Sequence, residues 1–88
     1  MQGNRIRRAA LSDEHRDLGA TLRALRQEQQ ITQEDLGDRS GLHRNYVGAI
    51  ERGEINPTFG TLLRLQGGLR TTLTWIAERY EGRRETSA

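Results

Sequence analysis

Eighty-eight residues, 33% apolar and 30% charged with a mean hydropathy of −0.84, have room for one compact core and exclude a two-domain enzyme. Without cysteine there is no disulfide framework, thiol nucleophile or cysteine-ligated zinc, and the composition fits a reducing, cytoplasmic setting. Fourteen arginines and no lysine leave a net charge of only +2; arginine suits phosphate and guanine edges, but the bias fits a GC-rich genome equally well.

No apolar run approaches the roughly 20 residues that span a bilayer, and no apolar stretch follows the first arginines, so neither a membrane nor a secretory segment is expected. Residues 1–12 hold three arginines and read as a flexible basic arm. Asp13 or Asp17 is the expected cap of helix 1, in which Leu18, Leu22 and Leu25 recur at i, i+4 and i+7 and face a core. Thr32 with Asp35 three residues later predicts a capping-box start for a short helix 2 running to about Ser40. Gly41 is then the left-handed residue of a sharp turn.

A third helix is predicted over residues 44–52, with Val47 and Ile50 inward and Arg44, Asn45, Gly48, Ala49 and Arg52 outward; Gly53 stops it. Thr58 caps a fourth helix carrying Leu62, Leu63 and Leu65, expected to weaken at Gly67-Gly68. A fifth holds Leu73, Trp75, Ile76 and Tyr80, and residues 82–88 have nothing to bury and read as a disordered tail. The layout is all-α, with one domain over residues 13–81 and no segment of period two.

Two short helices joined by a tight glycine turn form a helix-turn-helix arrangement, in which the second helix offers its outer face to base edges. Arg44 can fork onto guanine and Asn45 onto adenine, each contact being worth about 1 to 3 kcal/mol of discrimination. Ala49 can touch a thymine methyl, and Gly48 leaves a gap that allows close approach.

The stretch from Thr32 to Leu65, with LGATLRALR before it, resembles the Cro/C1-type (XRE-like) helix-turn-helix family over roughly residues 17–77. The linked elements are ITQEDL, Gly41, YVGAIERG and NPTFGTLLRL. The resemblance implies a five-helix, lambda-repressor-like DNA-binding domain, with Gln33 on a phosphate and Arg44, Asn45, Gly48 and Ala49 facing bases. Tyr46 falls beside them and His43 takes the N-cap place, so both join the phosphate-side candidates. It further implies that Arg26 pairs with Glu51 as a structural brace. Gly37 and Gly48 stand where alanine and serine are common in the family. Dimerisation through the last helix is also implied, here by Leu73, Trp75, Ile76, Arg79 and Tyr80, on a palindromic double-stranded operator.

Arg39 and Arg52 are either phosphate clamps at the edges of the motif or simply solvated, and Arg5, Arg7 and Arg8 either enter a minor groove or fray. His15 and His43 lack metal-ligand spacing, so no metal and no cofactor are expected. Glu34, Asp35 and Asp38 lie where a helix start favours acids, which accounts for them without catalysis. The expected function is therefore a homodimeric transcriptional regulator with no enzymatic activity and no small-molecule ligand. The alternative is an antitoxin or protein-interaction module that keeps the fold.

Overall fold

The computed structural model describes residues 9–87, the last without its side chain; residues 1–8 of the expected basic arm, with Arg5, Arg7 and Arg8, lie outside the described residues. Five helices follow one another: α1 (Asp13–Glu28), α2 (Gln33–Ser40), α3 (Arg44–Glu51), α4 (Phe59–Gly68) and α5 (Leu73–Ser87). Leu22 and Leu25 of α1, Leu36 of α2, Val47 and Ile50 of α3, Leu65 and Leu69 at α4 and Ile76 of α5 form one buried cluster. Every helix thus contributes to the same core, as a short chain requires if it is to remove enough apolar surface from water.

The start of α1 differs from expectation. Ser12 is the cap, its hydroxyl accepting the His15 N–H at 3.1 Å, because it stands just ahead of the first helical residue. Asp13 already lies within the first turn and pairs with Arg16, while Asp17, one turn further on, receives Arg84. At Gly19 the α1 backbone approaches α3 so closely that a Cβ would overlap the carbonyls of Ile50 and Glu51.

Helix α2 begins with both halves of a capping box: Thr32 Oγ1 accepts the Asp35 N–H at 3.0 Å, and the Asp35 carboxylate accepts the Thr32 N–H at 2.9 Å. It ends at Gly41, whose φ of 72° turns the chain towards α3. A Cβ on Gly37 would overlap the Leu42 carbonyl, so the tight return of that turn explains glycine where alanine is usual in the family.

Helix α4 ends at the expected pair: Gly68 is its last residue and Leu69 its C-cap, and Gly68 packs directly on Ser40 and Leu36 of α2, where a side chain would collide. Thr72 Oγ1 accepts the Trp75 N–H to start α5, which then runs to Ser87. The disordered tail expected from Gly82 is therefore corrected, since Arg84 Nη1 reaches Asp17 at 2.8 Å and Arg79 pairs with Glu28, fastening α5 along α1.

Candidate nucleic-acid interface

Helix α3 has two unlike sides. Val47 and Ile50 are sealed in the core and Glu51 is only 6% exposed, whereas Arg44 and Asn45 stand in solvent and Ala49 is half-buried. The cap is His43, whose Nδ1 accepts the Asn45 N–H at 3.0 Å; the proton of the neutral ring then sits on Nε2, a donor. Tyr46 leans against the core and is half-buried. Arg44 lies 3.7 Å from Glu34 across solvent, a long and exposed pairing that leaves the guanidinium available.

Glu51 is the hub of the inner side. Arg26 Nε and Nη2 donate to its two oxygens at 2.7 and 3.0 Å, a fork that joins α1 to α3. Arg26 Nη1 donates as well to the Ile31 carbonyl at 2.9 Å, just ahead of α2. Gln33 Nε2 donates to Glu51 Oε1 at 2.9 Å, so the first residue of α2 is held by the same carboxylate. One buried acid thus fixes three elements, and the Gln33 contact has no signature in the sequence beyond the residue types.

Gly48 is not the open gap expected on the outer face. It is buried, because Gln33 and Arg52 close over it: a Cβ would lie 3.2 Å from Gln33 Oε1 and 3.1 Å from Arg52 Nη1. Arg52 is itself oriented by Glu54, which accepts from Nε and Nη2 at 2.8 and 3.2 Å and thereby raises the guanidinium pKa above its ordinary value. Arg39 does not stand free at the edge of the motif either. Its Nη1 lies 3.3 Å from both Gln29 Oε1 and the Gly68 carbonyl, linking α2 to the ends of α1 and α4.

The five expected interface residues of α5 separate into two groups. Ile76 is 2% exposed and belongs to the core of its own chain, so it is removed from the interface set; it and Trp75 point to different sides, as adjacent helical residues must. Leu73 and Tyr80 are half-buried and line an apolar groove of about 180 Å³ with Leu18, Leu62, Ile76 and Ala77. Trp75 is 45% exposed, with the Arg79 guanidinium 5.6 Å from its ring centre. No cluster of histidine and acids that could hold a metal occurs among the described residues, and no helix among them is long and apolar enough to cross a membrane.

The family profile described as Helix-turn-helix matches residues 22–76, a span that contains α2, the turn at Gly41 and α3. The chain belongs to the Cro/C1-type helix-turn-helix family. It is a sequence-specific DNA-binding transcriptional regulator. Control protein C.SmaI of Serratia marcescens is 39% identical over 62 residues, which cover 70% of this chain and 74% of that relative. Among solved structures, the wild-type restriction-modification controller protein C.Esp1396I superposes with a TM-score of 0.81 at 28% identity, covering 85% of this chain and 97% of that one. The controller protein C.AhdI from Aeromonas hydrophila gives 0.72 at 34% identity, over 74% and 98% of the two chains. The fold that the two controller structures resemble has, among the described residues of this chain, five helices and no strand.

Proposed function

We propose that α3 enters the major groove of a palindromic operator, that two copies bind it as a homodimer, and that the protein controls a restriction-modification system. The carrying observation is the two-sided α3: Arg44 and Asn45 are exposed, while Glu51 on the opposite side is clamped by Arg26 and Gln33. A recognition helix held this way presents its donors with little freedom left to lose on binding. Arg44 and Asn45 read bases and Ala49 makes an apolar contact. Gln33, His43 through Nε2–H, Tyr46 and Arg52 lie along the flanks and engage phosphates. Gly48 acts as the floor on which Gln33 and Arg52 rest.

The controller role is supported by the likeness to C.SmaI and by near-complete coverage of C.Esp1396I and C.AhdI. The dimer is supported by Trp75, a large ring left 45% exposed on the last helix, and by the apolar groove that Leu73 and Tyr80 line on another side of that helix. Half-sites about 34 Å apart would match such a dimer. The proposal includes no catalytic step and no bound cofactor.

Selection from a random duplex library, followed by anisotropy on the selected site at two salt concentrations, tests the reading. A palindromic site and strong salt dependence are expected, and no binding at low salt overturns it. Arg44→Ala should relax preference at one base position by about 1 to 3 kcal/mol, while Gln33→Ala weakens all duplexes alike. Light scattering at micromolar concentration should show a dimer that Trp75→Ala weakens; a monomer unaffected by that change removes α5 from the interface.

A further inference from the structure

The side of α1 turned away from its leucines carries Arg16, Ala20, Arg23 and Ala24 and lines a groove of about 770 Å³, with Arg52 and Glu54 at the end of α3 as the other wall. Within reach of it, a smaller cleft of about 170 Å³ is lined by Arg23, Gln33, Glu51 and Arg52. The charges there are unequal in availability. Glu51 is taken by Arg26 and Gln33, Glu54 accepts from Arg52, and Arg16 pairs with Asp13. Arg83, at the edge of the larger groove, has a partner of its own. Arg23 is exposed and has no acid or hydrogen-bond partner among the described residues.

An unpaired guanidinium beside neutralised carboxylates is a seat for an anion, because its charge is not offset locally and its fork fits phosphate oxygens. The residue it shares the small cleft with is Gln33, at the start of α2, where the first-turn amides also favour an anion. The small side chains of Ala20 and Ala24 keep the α1 flank low enough for a backbone to lie against it.

We propose that Arg23 is a phosphate ligand, taking a backbone phosphate of the bound duplex from the α1 flank next to the one engaged by Gln33. The footprint on DNA then extends past the helix-turn-helix onto α1. This rests on the docking of α3 proposed above. Arg23 carries no sequence information and sets register and affinity.

The test is anisotropy of the full chain on the selected duplex and on a random duplex across a salt series, for wild type, Arg23→Gln, Arg23→Lys and Arg70→Gln. Arg70 is exposed at the turn between α4 and α5 and lines neither cleft, so its loss removes the same charge elsewhere. Arg23→Gln is expected to lower the magnitude of the slope of log affinity against log salt by about 0.9, one counterion release, and to weaken both duplexes by the same factor. Arg23→Lys should regain the slope, and Arg70→Gln should keep the wild-type one. An unchanged slope for Arg23→Gln, an equal drop for Arg70→Gln, or a loss confined to the selected duplex overturns the assignment. Failure of wild type to bind either duplex overturns the docking reading instead.

Discussion

Arginine-carboxylate pairs join α1 to α3 and α1 to α5, and the two seams are built differently. Arg26 and Glu51 have side chains 11% and 2% exposed, meet as a fork, and share the carboxylate with Gln33. Arg79 and Glu28 have side chains 27% and 55% exposed, and Arg84 spreads itself between Asp17 and Glu14 near solvent. Water screens the outer seam, so it guides where α5 lies without holding the fold together. In the inner seam the charges have lost their water, so each is tolerable only while its partner is present. The difference matches the proposed work of each helix: docking on DNA requires α3 in one orientation, whereas α5 covers α1 and leaves Trp75 exposed.

The largest expected effect comes from breaking the inner seam. Arg26→Ala leaves the Glu51 carboxylate buried without its fork and should cost about 3–5 kcal/mol, measured by denaturant unfolding. A small domain has about 5–15 kcal/mol in all, so this variant should be partly unfolded at growth temperature. The double variant Arg26→Met, Glu51→Leu should recover most of the loss, since no charge is then stranded. A cost below about 1 kcal/mol for Arg26→Ala would erase the contrast with the outer seam.

An intermediate effect separates presentation from stability. Gly48→Ala adds helix propensity of about 1 kcal/mol and meets only the movable ends of Gln33 and Arg52. Melting temperature should hold or rise while DNA affinity falls, because both side chains are displaced from α3. Unchanged affinity would show that their seating over Gly48 has no part in binding.

The helices and the core were legible in the sequence because apolar spacing and caps are local signals: Leu22, Leu25, Val47 and Ile50 are buried, and Thr32 with Asp35 forms its box. The outward positions of Arg44 and Asn45 follow from the same periodicity. What stayed hidden depends on partners distant in the chain. Residues 82–87 look like a frayed tail until Arg84 is seen to reach Asp17, 67 positions away. Gly48 looks exposed on a helical wheel, yet it is covered by Gln33 from another helix. Arg39 and Arg52 both read as free cations, and their acceptors, the Gly68 carbonyl and Glu54, come from the fold. Arg23 carried no distinguishing mark, being one arginine among fourteen until its place in both clefts, beside Gln33, set it apart.

The smallest effect sharpens the outer seam by pH. Glu28 has its carboxyl held below the ordinary glutamate value, first by the hydrogen bond from Arg79 and then by its charge, and Arg79 is raised in turn by Glu28. A carboxyl whose folded pKa is depressed stabilises the fold above its unfolded pKa and loses that contribution as pH falls through the lower folded value. The raised arginine acts in the opposite sense, its contribution being lost only above an already very high pKa, so it adds nothing to the dependence between neutral and acid. Subtracting the melting curve of Glu28→Gln from that of wild type removes the other depressed carboxyls, Glu14 and Asp35, which both proteins share. The difference should be small at pH 7, shrink further in high salt, and vanish at a pH below the folded carboxyl's value. A difference of the same size at pH 7 and at pH 2 would mean that the Glu28 charge does not carry the effect, and one as large as that of Arg26→Ala at pH 7 would mean that α5 is held by this contact rather than by Ile76 and its neighbours in the core.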